Sequence, residues 1–340
     1  MTDISVAILG FGRIGASVAL ALRRYNAKGG NHHFKIAGFD TRPSVEKKAA
    51  SMKLADEFSN RAFNAARNRD IVIVAMPYAE VQAIYELIGP DLRDGCVVID
   101  MSPLSLPSAA WADKYLQKEA HLVSVTAVVN PDYLFEAVDD IDHAHEDLFD
   151  KGTMLLMPGP SCIKGAVELT ADFAQLLGAI PHFVDPAEHD GLIAATEGLP
   201  ALLGVTAFYM FSKSQGWGDG QRMINPAFGA LTHHLFDTHP DDIRDTWLKN
   251  RENLLRYADD LIGVLQNVRS RLAVNDQAAL EALLVEASTE YEQWINRRVK
   301  SRWDRDQGIS TPSPANDMLR GVMGGYLAGK LTSKKKGDDE

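Results

Sequence analysis

The sequence predicts an α/β fold: a doubly wound, mostly parallel sheet followed by an all-α helical region. Three observations carry this. Over the first 185 residues, short runs of Val, Ile, Leu and Ala alternate with stretches of helical character. The runs are apolar throughout rather than at alternate positions, as expected of strands covered by helices on both faces. After Asp185 the strand-like runs stop, and only helical patterns follow to about Arg298.

Strands are expected at Ser5–Leu9, Lys35–Phe39, Ile71–Ala75, Val97–Asp100, Leu122–Ala127, Thr153–Met157 and His182–Val184. Helices are expected near Ile14–Tyr25, Ser44–Met52, Ala79–Ile88, Pro107–Lys118 and Ile163–Leu177. The polar stretch Asn26–His33 reads as an inserted loop, with His32 and His33 exposed in it. Asp185-Pro186-Ala187-Glu188 is a helix start: an N-cap, a proline preformed for the first position, and a glutamate placed to close a capping box. Pro200 is expected to kink or divide that helix. The following LLGVTAFYMF is apolar around its whole circumference and must be buried, in a bundle or against a second subunit. Long helices follow at Pro240–Leu272 and Gln277–Val299. The division expected is 1–185, 186–304 and a C-terminal extension 305–340, whose last residues, Ser333–Glu340, are small and charged and expected to be disordered.

The chain has 340 residues and a charge balance of 35 − 46 = −11, which argues against a general nucleic-acid or anionic-membrane binder. Hydrophobic residues make up 46%, enough to exclude global disorder. Cys96 and Cys162 stand far apart, with no partners at metal spacing, so neither a disulfide framework nor a cysteine-rich zinc site is expected. The N-terminus shows no basic and apolar leader. The most apolar window, Leu199–Phe211, is shorter than the roughly 20 residues a bilayer requires. A soluble, cytoplasmic chain with no membrane partner is expected.

Gly10-Phe11-Gly12-Arg13-Ile14-Gly15 is a G-x-G-x-x-G between the first strand and the first helix, the context in which the motif marks a Rossmann-type dinucleotide site. The first glycine permits the tight turn, the second lets backbone approach a pyrophosphate, and the third allows close helix–strand packing. Asp40 ends the second strand, where an acid can accept from the adenosine ribose hydroxyls. That favours NAD. NADP is the alternative, because Arg42 just beyond could meet a 2′-phosphate; the preferred reading leaves Arg42 solvated. Met76-Pro77 and Asp100-Met101-Ser102 end later strands and should border the cofactor, since ligands bind beyond the carboxyl ends of such strands. In His143-Ala144-His145 the histidines sit in an acidic stretch that reads as a solvated loop, and no metal is assigned.

On ILGFGRIGASVALALRR, AMPY, VVIDMSP and, most specifically, GAIPHFVDPAEHDGLIAATEGLPALLG, the chain resembles the prephenate/arogenate dehydrogenase family, from about Ile4 to Trp303. The later IRDTWLKNRENLLRYADDLI is similar to the family's helical signature. The resemblance implies an NAD(P)-binding domain, a helical domain that pairs two subunits, an anionic small-molecule substrate, and oxidative decarboxylation on the route to tyrosine. It also implies a catalytic histidine, a carboxylate-binding arginine, and a second histidine and a serine that position the ring.

The chain departs from that pattern at those places. Asn130, in Asn130-Pro131, stands where the catalytic histidine is expected, and an amide cannot take a proton at neutral pH. The family's paired histidines are replaced in Glu197-Gly198-Leu199-Pro200-Ala201, and the arginine position falls near Gly229. Ser102 keeps the serine, shifted by about one position. Asn130, Ser102, Glu197 and His233 are therefore the catalytic candidates. Two other readings stay open: a dehydrogenase for another hydroxy or amino acid, with Asn130 as polariser and Glu197 or a histidine as base, and an NAD(P)-binding regulatory protein without catalysis.

Overall fold

The computed structural model describes residues 2–136 and 138–300; the expected extension 305–340 lies outside them. The chain begins β1 (Thr2–Leu9), α1 (Arg13–Ala27), β2 (His32–Phe39), α2 (Pro43–Ser51), β3 (Glu57–Phe58), α3 (Ala62–Ala66), β4 (Ile71–Val74) and α4 (Tyr78–Ile88). It continues β5 (Val97–Asp100), α5 (Ser105–Tyr115), β6 (His121–Val128), β7 (Thr153–Pro158), α6 (Lys164–Leu176) and β8 (Ile180–Phe183). These strands form one sheet in the order β3-β2-β1-β4-β5-β6-β7-β8. Each neighbouring pair is parallel except β6 with β7. The expected mostly parallel α/β sheet is what forms.

The apolar runs behave as their composition requires. Every residue of β4 and of β5 is buried. One face packs on α1 and α6 through Val18, Leu22 and Phe173, and the other on α3, α4 and α5 through Ala65, Val81 and Trp111. The chain winds outward from β1 through β2 to β3, then crosses back to β4 and winds the other way. The switch between β1 and β4 opens a crevice beyond their carboxyl ends, where Gly10 and Ala75 lie.

Two local expectations change. The inserted loop is shorter than Asn26–His33: His32 and His33 belong to β2 and pair with Thr2 and Asp3. Asn26, still in α1, brackets the strand start by donating to the Phe34 carbonyl (2.8 Å) and accepting from its N–H (2.9 Å). The two-residue β3 has no periodicity to reveal it and exists by pairing with β2.

The helical region runs α7 (Pro186–Ile193), α8 (Leu199–Ser212), α9 (Trp217–Gly220), α10 (Pro226–Thr232), α11 (His234–Asp237), α12 (Pro240–Lys249), α13 (Arg251–Ala273) and α14 (Gln277–Lys300). Asp185 caps α7 as expected, accepting from Ala187 and Glu188 N–H. Pro200 does not divide the helix. A widened π-type turn, Ala194–Gly198, joins α7 to α8 and absorbs the proline's missing donor. The result is one helical stretch, Pro186–Ser212, of 27 residues. By length and composition it could cross a membrane, contrary to the reading of Leu199–Phe211 alone, but its first half is built into the sheet region through buried His189 and Asp190. The expected helix Pro240–Leu272 is two helices, broken at Asn250. Large apolar side chains on these helices remain exposed, among them Tyr209 (65%), Met210 (70%) and Phe236 (83%).

Candidate active site

The glycine-rich turn separates three jobs by geometry. Gly10 has φ +97°, and a side chain there would strike the backbone of Ala75 and Met76. A side chain on Gly15 would strike the Gly10 carbonyl. Gly12 faces open space, with nothing within 4 Å of where a Cβ would stand. Gly12 also precedes α1 without a side-chain cap, so the first N–H groups of a 15-residue helix point beyond the turn. A turn packed at its first and last glycine and open at the middle one fits a dinucleotide pyrophosphate. Ile14, in the first turn of α1, packs partly buried against the core. The Met76 side chain is also core, and its backbone, not its thioether, borders the turn. Pro77 begins α4.

Asp40 and Arg42 form one unit. The Asp40 side chain is buried, with Oδ2 accepting from Phe11 N–H (2.7 Å) and Oδ1 from Arg42 N–H (2.8 Å). Arg42 adds Nε to Oδ1 (3.1 Å) and Nη2 to Oδ2 (3.3 Å), so it is not merely solvated. Arg13 is buried too, but its side chain turns away from the turn. It donates to the carbonyl of Glu136 (2.6 Å) and pairs with the Glu136 carboxylate (3.0 Å), tying the loop between β6 and β7 onto α1.

The ends of β5 and β6 hold further candidates. Asp100 is fully buried and accepts from Tyr85 OH (2.8 Å) and Ser102 N–H (2.9 Å). Burial pushes its carboxyl above the usual range, against the pull of these hydrogen bonds. Ser102 is buried beside it. Asn130 is buried and already engaged: Oδ1 accepts from Asp132 N–H (3.1 Å), and Nδ2 donates to the Asp147 carbonyl (3.2 Å). Its amide caps its own turn.

Across from that loop, Glu197 sits on the widened turn between α7 and α8. Its side chain reaches solvent, yet burial is the largest influence on it and raises its pKa, while His233 opposes and Asp139 reinforces the shift. Asp139, on the β6–β7 loop, behaves likewise: burial and Asp237 raise it, and Arg13 and Arg42 oppose. Both side chains are exposed to solvent, and their charges act on one another between the β6–β7 loop and the helical region. The His233 and His234 rings lie 3.9 Å apart, tilted by 41°, and His233 Nδ1 lies 2.8 Å from the Ala230 carbonyl. Burial holds His234 below its ordinary value, which keeps it neutral.

The helical region is anchored to the sheet region by buried side chains. Asp190 accepts from Ser105 N–H (2.7 Å) and Leu106 N–H (3.0 Å), capping α5 from another element. His189 lies between Asp190 Oδ1 (2.9 Å) and Thr126 Oγ1 (2.8 Å), and Asn250 Nδ2 donates to the Asp190 carbonyl (2.6 Å). The block from Asp185 to Asp190 is therefore a joint.

Residues 5–103 match the family described as NADP oxidoreductase, coenzyme F420-dependent. A cyclohexadienyl dehydrogenase of Zymomonas mobilis is 21% identical over 279 residues, 80% of this chain and 89% of the relative. A probable arogenate/prephenate dehydrogenase of Methanocaldococcus jannaschii is 34% identical over 86 residues, 24% of this chain and 19% of the relative. Among solved structures, the prephenate dehydrogenase of A. aeolicus, in complex with hydroxyphenyl propionate and NAD+, superposes with a TM-score of 0.71 at 19% identity, covering 86% of this chain and 99% of that one. At these identities the structural likeness shows a shared fold, and the family match covers the N-terminal part of the chain. The fold also matches Synechocystis arogenate dehydrogenase, with a TM-score of 0.63 at 19% identity, over 86% of this chain and 100% of that one.

The structure brings Glu197, His233 and Asp139 within electrostatic reach of one another and leaves Asn130 occupied in its own loop. Gly229 lies exposed on α10 with open space around it, where the family arginine is expected. His143 and His145 do not converge: His143 contacts Asp140, and His145 stacks on Tyr133 at 4.2 Å. Sequence reasoning missed Asp139 and Asp237, because an acidic stretch reads as solvated surface; it placed Asp100 at the border of the cofactor, but its burial with Tyr85 is a tertiary fact.

Proposed function

We propose that the chain is an NAD(P)-dependent dehydrogenase of the prephenate/arogenate type, acting on a small anionic hydroxy or amino acid, with Glu197 as proton acceptor. The observation that carries this is Glu197 itself: an exposed carboxylate on a widened helical turn, within electrostatic reach of His233 and of Asp139 on the β6–β7 loop. The Gly10–Gly15 turn and the first N–H groups of α1 would hold the pyrophosphate, and Asp40 and Arg42 the adenosine end. When bound, the nicotinamide supplies the hydride acceptor. The chain supplies the proton's destination. Burial keeps Glu197 basic for a carboxylate, which favours proton uptake from a substrate hydroxyl. His233 stabilises the ionised form, so the base remains usable. Asn130 takes no proton in this reading. The exposed apolar side chains of α8 and α11 support a homodimer formed through the helical region.

The test is reduced-cofactor absorbance with prephenate and arogenate, each with both cofactors. Turnover with the family substrates is expected to fall well below the roughly 10 per second of ordinary enzymes, because the histidine and arginine are replaced. Whatever the best substrate, Glu197→Gln should lower kcat about 10²–10⁴-fold. The unmutated rate should rise with pH as Glu197 ionises, at a pH above the ordinary carboxylate range. A Glu197→Gln variant of unchanged kcat would remove this assignment.

A further inference from the structure

The last described helix carries an inference that rests on the dehydrogenase reading above and concerns the group that would hold the substrate. Arg298 lies near the end of α14 and is 5% exposed. Its Nη2 donates to the carbonyl of Val129. Among the described residues that carbonyl is its one hydrogen-bond acceptor, and no carboxylate pairs with it. α14 packs on the turn after Asn130, but the acids joined to that turn face elsewhere: Asp147 accepts from Tyr133 OH (2.7 Å), and Asp132 lies 3.8 Å from Lys151. Burial alone acts on the Arg298 guanidinium and pulls its pKa below the ordinary arginine value, whereas the hydrogen bond to Asp150 raises that of Arg24. A buried cation is costly unless an anion pairs with it, and a single carbonyl does not neutralise it.

The place suits a substrate. β1, β4, β5 and β6 are mutually parallel, so Val129, just beyond β6, lies at the same edge of the sheet as Gly10. With its adenosine at β2 and its pyrophosphate at the turn after β1, a dinucleotide crossing the switch point carries its nicotinamide toward β5 and β6. Arg298 thus reaches the backbone one residue before Asn130, at the reacting end, from a helix far along the chain. A guanidinium has several donors in a fixed fork, and a carboxylate matches two of them in parallel. We infer that Arg298 binds a carboxylate of the substrate at the nicotinamide end of the site, a task for which Gly229 has no side chain. The ligand then supplies the anion that the buried guanidinium lacks, so the site selects acids over neutral molecules of the same shape.

The test is calorimetry on the full chain saturated with NADH, which gives no turnover, titrated with prephenate, 3-phenylpropionate and 3-phenylpropionamide. The acid should bind at least about tenfold more tightly than its amide. Arg298→Gln, which keeps an N–H for the Val129 carbonyl, should bring that ratio to about one and weaken prephenate at least about tenfold, with NADH affinity and melting temperature unchanged. Arg298→Lys, which keeps the charge without the fork, should recover part of the ratio. An arginine that only pins α14 to the loop would, when replaced, weaken acid and amide alike, and that result would overturn the inference. Equal affinities for acid and amide in the unmutated chain, or no binding of prephenate and the acid, would overturn it too and leave the dehydrogenase reading standing. A chain that does not bind NADH at all would remove both.

Discussion

Replacing Asp190 with alanine tests whether the helical region is joined to the sheet region by one buried carboxylate. That carboxylate accepts from the first N–H groups of α5, at Ser105 and Leu106, and contacts His189 Nδ1. Asp190 is 2% exposed and His189 is 1% exposed, so water cannot take its place. Loss of a helix N-cap costs about 0.5–2 kcal/mol. Leaving a buried donor without its acceptor costs about 1–3 kcal/mol. The contributions overlap, because the cap and the orphaned N–H groups are the same atoms. The sum expected for Asp190→Ala is therefore about 3 kcal/mol, rather than the total of every bond. Asp190→Asn keeps one acceptor oxygen and should lose about half as much. Urea unfolding followed by far-ultraviolet circular dichroism, with slopes compared between variants, reads this directly. A loss below about 1 kcal/mol for the alanine variant would mean that the joint is held by packing alone, and the reasoning would fail.

Three further outcomes follow from the same geometry. Gly12→Val should leave the melting temperature nearly unchanged, since its side chain enters open space, yet abolish dinucleotide binding in calorimetry; Gly15→Ala should instead destabilise the fold, because its Cβ meets the Gly10 carbonyl. A Gly12→Val protein with normal cofactor affinity would contradict the site. Asp100 has a raised folded pKa, so the native state holds its proton more tightly than the unfolded state, and stability should fall as pH climbs from about 3.9 through the raised value. Asp100→Asn should flatten that slope, and an identical slope in denaturant titrations across this range would count against the assignment. Light scattering should give twice the chain mass, and Met210→Glu, placed on the exposed face of α8, should give the monomer; a monomer before mutation would refute the dimer.

What could be read in the sequence was whatever rests on neighbours along the chain. The glycine turn, the strands beside it and the Asp185 cap are local, and each forms where its residues require. The places that differ depend on distant partners. Asn250 breaks an otherwise continuous helical pattern, and its side chain donates to the carbonyl of Asp190, sixty positions earlier. His32 and His33 look like loop residues until Thr2 and Asp3 pair with them. Arg42 looks solvated because nothing in the sequence shows that its guanidinium folds back onto Asp40. Asp139 belongs to an acidic run, and nothing in the sequence shows that Arg13 ties that run onto α1 through Glu136.

The occupied amide of Asn130 bears on where the proton can go. Its oxygen caps the turn at Asp132 and its nitrogen donates to Asp147, so both ends of the side chain hold the β6–β7 loop. An imidazole has one nitrogen on each side of a rigid ring and cannot reproduce an acceptor and a donor at those places while also meeting a substrate. Restoring histidine at this position would thus loosen the loop that carries Glu136 and Asp139. The widened turn at Ala194–Gly198 offers a different route, because it lifts Glu197 out of regular helical register without requiring anything of that loop. A base placed there depends on Pro200 for its backbone and on His233 for its charge, and both lie in the helical region. Proton acceptance and dinucleotide binding then belong to different layers of the fold, connected through the buried joint at His189 and Asp190.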